Sequence, residues 1–232
     1  MNVPRLVQVG VDVASSRWSA ALAARHPAVL AAVALHPNEA GAGKATEEAL
    51  AEIDRLAALP RVRAVGETGL DRFRTGPEGW AAQEASFRAH IRIAKEHGIA
   101  LVIHDRDAHE EILRVLDDEG APEHTVFHCF SGDAGFAKDC VARGFVLSFA
   151  GTLTFANAGY LREAAALAPA GQLLVETDSP FLTPAPYRGR PNASRLVPHT
   201  VRALAEVTGV ELVELCTTLT ATAERVFGPW AP

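Results

Sequence analysis

Cysteine is scarce in this chain: only Cys129, Cys140 and Cys216 occur, and no two form a CxxC pair. An odd, scattered set excludes a disulfide frame and reads as buried, reduced thiols of a cytoplasmic protein. Positive charge is also short, with 22 Lys and Arg against 28 Asp and Glu and a net charge of -6. That balance excludes a broad basic surface for nonspecific nucleic-acid binding, though not a local cationic site. No apolar run approaches the roughly 20 residues of a membrane helix, so no membrane partner is expected. Residues 1–5, MNVPR, lack the basic, apolar and cleavage regions of a secretion signal. No GxGxxG or Walker motif follows the first apolar run, which disfavours a nucleotide-binding open sheet. No internal repeat, linker or low-complexity block breaks the chain, and no His-x-His pair occurs anywhere.

What is present is an alternation of strand and helix signals. Short β-branched or apolar runs fall at Arg5–Val11, Val29–Leu35, Val62–Glu67, Ala100–His104, Thr125–Phe130, Phe145–Ala150 and Leu173–Asp178. Helical spacing fills Ser15–His26 behind a Ser cap, then Lys44–Ala58, Glu78–His97 and Asp107–Leu116. It returns in Ala134–Arg143, Ala158–Leu167, Leu196–Val207 and Glu211–Phe227. The strands lack period-two alternation, as expected of parallel strands covered by helices on both faces. The predicted fold is therefore α/β, a TIM-like (β/α) barrel spanning residues 1–232 as one domain.

Four of the apolar runs end on metal-ligating side chains: Glu67, His104, His128 and Asp178. A lone His at a strand end is more often structural than a ligand, and Asp178 could simply cap a turn. Four such residues at equivalent ends of separate strands point instead to a metal centre on the carboxyl-terminal rim of a barrel. Two imidazoles and two carboxylates suit divalent ions such as Mg, Mn or Zn. Arg72, Arg74, Arg106, Arg188, Arg190 and Arg195 fall in or near the loops after these runs. They either neutralise phosphate oxygens or pair with neighbouring acids. Phe73, Phe130, Phe181 and Tyr187 in the same loops either stack bases or pack the rim.

The stretches AVGETGLDRFR (64–74), FHCFSGD (127–133) and LLVETDSPFLTPAPYRGRPN (173–192) are the most specific in the chain. With ALHPNEA (34–40), the long run from Gln83 to Ala108 and LSFAGTLTF (147–155), they follow one family's order. In these stretches the chain resembles the TatD-type metal-dependent hydrolases of the amidohydrolase superfamily. The resemblance implies two divalent ions and hydrolysis of phosphodiester bonds in DNA by metal-activated water. It implies Glu67 as bridging carboxylate, His104 and His128 as ligands, and Asp178 as ligand and proton acceptor. It also places Arg106 and His36 beside the substrate. Hydrolysis of a D-aminoacyl-tRNA or other ester on the same site is the alternative.

The chain departs from the family at the first strand, whose His-x-His it lacks. Seven of eight barrel strands are recognised, with the first βα unit missing, and open edges are a stability liability. The expectation is a natural protein longer by that unit and more stable for it. The competing expectations are an inactive metal-binding scaffold and a partner that supplies the strand. Asn38 replaces a family histidine, and Thr222 stands where Asn is common.

Overall fold

The structure is a computed structural model that describes residues 3–230; residues 1–2 and 231–232 of the expected domain lie outside the described residues. Strands and helices alternate in the expected order. The elements are β1 Leu6–Val9, α1 Val13–Arg25, β2 Val29–Val33, α2 Pro37–Gly41, α3 Glu47–Ala57, β3 Val62–Asp71, α4 Pro77–His97, β4 Ala100–Arg106 and α5 His109–Glu119. There follow β5 Thr125–Phe127, α6 Ala134–Ala142, β6 Val146–Phe149, α7 Gly159–Leu167, β7 Leu173–Val175, α8 Val197–Thr208 and α9 Leu212–Phe227. Contacts group these into two compact units, one built on residues 4–126 with the chain from Val226, the other on residues 127–225.

In the first unit β1, β2, β3 and β4 pair in parallel and in chain order, with Val9 beside Ala32, Val33 beside Val65 and Gly69 beside His104. Every residue of β2 is buried, as its unbroken VLAAV run predicts, whereas β1 is half-buried. The long helix α4 starts with Pro77 and stops at Gly98, which takes the left-handed conformation that a residue without Cβ adopts cheaply. Its buried residues Gln83, Phe87, His90, Ile91 and Ala94 recur at three- and four-residue spacing, so one stripe faces the sheet. The chain end is clamped to this unit. The Arg61 guanidinium donates to the carbonyls of Pro27, Val29 and Trp230, and the Trp230 indole N–H reaches the Leu6 carbonyl.

In the second unit β6 and β7 pair in parallel through Leu147–Leu173 and Phe149–Val175. Phe127, Phe130, Phe136, Phe145 and Phe149 form a buried cluster with ring centroids 5.4–5.8 Å apart.

Several local expectations need correction. The third and fourth strands run past their apolar segments to Asp71 and Arg106, so Glu67 and His104 lie within strands rather than at their ends. Residues outside the apolar runs extend them because β3 and β4 keep pairing, Leu70 with Asp105 and Asp71 with Arg106. The fifth and seventh strands are shorter than expected and stop before His128 and Asp178. The first helix is capped by Asp12, not by a serine; Ser15 returns a hydrogen bond, forming a capping box. The short helix α2 was not expected. Of the thiols only Cys140 is buried, and Cys216 is exposed. Among the described residues no helix is long and apolar enough to cross a membrane.

Candidate metal centre

The first unit gathers His36, Glu67 and His104, each offering one ligand atom within 4.8 Å of the others. Glu67 stands where the β3–β4 register shifts, between Val65 and Thr68. Just beyond it Gly69 takes a φ of 139°, and any Cβ there would collide with the His104 carbonyl. Glycine is thus what lets the strands carrying Glu67 and His104 pass this closely. His104 Nδ1 lies 3.4 Å from Glu67 Oε2 and 3.2 Å from His36 Nε2.

On the other side of the ring, His104 Nε2 lies 3.2 Å from Asp71 Oδ2. Burial pushes the Asp71 carboxyl up. The His104 hydrogen bond and the backbone N–H groups of Arg74 and Phe73 outweigh it and hold the carboxyl near 2. Asp71 is therefore a carboxylate, His104 Nε2 carries the proton, and Nδ1 presents its lone pair toward Glu67 and His36. Gln83 of α4 accepts from the Asp71 N–H and donates to its carbonyl, which locks that carboxylate in place.

His36 follows β2, and its Nδ1 accepts the Asn38 N–H at 3.1 Å. The neutral ring consequently carries its proton on Nε2, the atom facing His104. One residue earlier, the Leu35 N–H donates at 3.0 Å to the fully buried His90 Nε2, which braces the segment. Arg106 sits two residues beyond His104 on the same strand face, with its guanidinium 4.0 Å from the Phe73 ring centroid.

In the second unit, His128 Nδ1 meets Glu176 Oε1 at 2.8 Å, and the other Glu176 oxygen accepts the Cys129 N–H at 3.1 Å. Backbone conformations that L-residues rarely adopt occur beside His128, at Cys129 with φ 44°, and at Asp178 with φ 53°. The Asp178 carbonyl accepts the Phe181 N–H, and Asn192 donates to the carbonyls of Thr177 and Phe181.

The structure therefore brings His36, Glu67 and His104 together, sets Arg106 along the same strand, and carries His128 and Asp178 in the second unit. Two groups escaped the sequence reading. Asp71 holds His104 by one nitrogen and Glu176 stands 2.8 Å from His128, and nothing in local sequence marks either except acidic positions within GLD and VETD. Two loop groups take the structural alternative of the two that the sequence left open. Arg72 pairs with Glu111 at 3.2 Å and lies over Trp80, and Phe130 is buried in the aromatic cluster. The donor set fits a divalent ion: an imidazole fixed by a carboxylate at one nitrogen and offering the other is the usual arrangement of a metal-binding histidine.

Imidazoles beside carboxylates in an α/β chain are the donor set that metal-dependent hydrolases use. The comparisons agree. Residues 1–228 match the family described as TatD related DNase. The chain is 46% identical to the "Uncharacterized metal-dependent hydrolase TatD" of Mycobacterium tuberculosis, over 98% of this chain and 87% of that protein. It is 35% identical to the "3'-5' ssDNA/RNA exonuclease TatD" of Escherichia fergusonii, over 98% and 88%. Its fold matches the crystal structure of YJJV, a TatD homologue from Escherichia coli, with TM-score 0.91 and 25% identity over 97% and 87%. The fold is therefore the TIM-like α/β fold predicted from the strand–helix alternation. The chain belongs to the TatD family of metal-dependent hydrolases.

Proposed function

We propose that this protein cleaves phosphodiester bonds in DNA, with Glu67, His104, His128 and Asp178 holding two divalent ions. When bound, the ions supply Lewis-acid charge and make water a nucleophile near neutral pH. The protein's own groups do the rest. Asp71 keeps His104 in the tautomer that offers Nδ1, and the Glu176 carboxylate sits 2.8 Å from the His128 ring nitrogen. Asp178 accepts the proton released from the attacking water. His36 also lies among the possible ligands, but its proton is on Nε2, which suits it to donate a hydrogen bond to a substrate oxygen. Arg106, steadied against Phe73, neutralises a phosphate oxygen.

The observation that carries this reading is the Asp71–His104–Glu67 row, a buried carboxylate orienting an imidazole toward a second carboxylate. The nuclease name of a 35% identical relative supports DNA as substrate. The test is to incubate the protein with single-stranded DNA and, separately, with a D-aminoacyl-tRNA, each with Mn²⁺ or Mg²⁺ and again with chelator. Metal-dependent cleavage of DNA is expected. Hydrolysis of the aminoacyl ester alone would replace DNA as the substrate, and binding of metal without hydrolysis of either would make the chain a scaffold.

A further inference from the structure

The second unit carries two adjoining hollows just past Asp178. One, of about 270 Å³, is lined by Phe155, Phe181, Arg188 and Arg190 among others. The other, of about 460 Å³, is lined by Tyr187, Arg190 and Arg195 among others. Arg190 borders both. No acidic residue lines either hollow, and Arg188, Arg190 and Arg195 have no carboxylate partner among the described residues. In an acidic protein, three guanidinium groups left without counter-charge along one short track are a feature to be explained. By contrast Arg72, Arg88 and Arg114 pair with acids.

Aromatic faces accompany the charges. The Arg188 guanidinium lies 3.5 Å from the Phe155 ring centroid, while Phe181 leaves 67% of its surface exposed. The floor is built rather than loose. Asn192 ties Thr177 and Phe181 together, and its own N–H reaches the Pro180 carbonyl. Thr154 accepts the Ala185 N–H at 2.8 Å. Gly151 lies so near the Leu182 carbonyl that no Cβ would fit, so the loop is seated on the turn after β6.

Unpaired guanidinium groups bind phosphate oxygens, and exposed aromatic faces take up unstacked bases. The geometry points to this track as a subsite for single-stranded nucleic acid, with Arg188, Arg190 and Arg195 on successive phosphates and a base on Phe181. This inference rests on the phosphodiesterase reading, to which it adds where the strand lies.

The experiment is binding of a fluorescein-labelled single-stranded oligonucleotide to the full chain in chelator, where cleavage does not enter, followed by anisotropy across a salt series. Arg188→Gln/Arg190→Gln should weaken binding at least about tenfold and flatten the salt slope by about 0.7 for each lost phosphate contact. Phe181→Ala should weaken it at least about fivefold with the slope unchanged. Because Phe181 is exposed, its variant should retain the parent's thermal melt, which separates lost contact from lost fold. Arg25→Gln, on the exposed end of α1, is the comparison for loss of bulk charge and should bind as the parent does. A duplex of the same sequence should bind more weakly than the single strand, because its bases are already stacked.

Unchanged affinity in both the double variant and Phe181→Ala would overturn the subsite, as would equal binding of duplex and single strand. DNA cleavage alongside such unchanged affinity would leave the hydrolase reading standing without this track. Groove-dependent binding by a chain that cleaves no phosphodiester would overturn the hydrolase reading and keep the subsite.

Discussion

Each unit sets a carboxylate against a histidine, by a hydrogen bond in the first and by a close contact in the second, and builds the pair from different material. In the first, His104 and its carboxylate Asp71 both stand on paired strands, and the Asp71 side chain is only 1% exposed. In the second, His128 and Glu176 stand just past short strands, and Glu176 is 18% exposed. A strand places a ligand through its ladder. A loop has to place one through hydrogen bonds of its own, and here Glu176, Asn192 and Thr154 supply them. Position set by the sheet should tolerate loss of one contact better than position set by a loop, whereas loss of a buried carboxylate should cost more stability than loss of a half-buried one.

The largest effects should come from the imidazoles themselves. His104→Ala and His128→Ala should each lower metal-dependent DNA cleavage by at least about 100-fold, measured at saturating Mn²⁺. Comparable losses would mean that both units serve one chemistry. A loss in only one variant would break the symmetry between them.

The orienting carboxylates come next. Asp71→Asn and Glu176→Gln should each cost about 10- to 100-fold in metal affinity by calorimetric titration. Asp71→Asn should also lower the melting temperature, because Asp71 satisfies two backbone N–H groups as well as His104. Glu176→Gln should leave the melting temperature nearly unchanged.

Acid should weaken the first unit by way of His90. Burial holds this imidazole down at about 4, against an ordinary value of 6.5 and despite its bond to the Ser86 carbonyl. The unfolded ring therefore takes a proton at a higher pH than the folded one. The ring's contribution is fully present above pH 6.5 and is lost as pH falls toward 4, a swing of about 3 kcal/mol. Urea unfolding at pH 7 and pH 4.5 should show a steeper loss for the parent chain than for His90→Gln.

The smallest effect belongs to the surface. Glu52 joins Arg17 on α1 to Arg55 on α3 in an exposed ion-pair cluster. Glu52→Gln should change unfolding free energy by less than about 1 kcal/mol, and less again in high salt.

The same contrast decides what could be read from sequence. The alternation of elements was legible because burial on both faces leaves unbroken apolar runs such as VLAAV and ALVI. Glu67, His104, His128 and Asp178 stood out as candidates because each interrupts or follows such a run. The true ends of β3 and β4 were not legible, because the mixed stretch Thr68–Asp71 and the polar pair Asp105–Arg106 are carried by pairing to each other rather than by an unbroken apolar run. Asp71 and Glu176 were hidden for a related reason. Their partners, His104 and His128, lie 33 and 48 residues away in the chain, and only folding makes the pairs. Arg72 and Arg188 look alike in sequence, yet one is paired with Glu111 and the other rests on Phe155 with no carboxylate partner among the described residues.

The most direct test of the central claim is the cleavage rate of an end-labelled single-stranded oligonucleotide by the parent chain and by Glu67→Ala, across a Mn²⁺ titration. The account predicts cleavage by the parent that rises with metal and stops with chelator, and a loss of at least about 100-fold in the variant at every metal concentration. Equal cleavage by the two proteins, or cleavage that survives chelator, would contradict it.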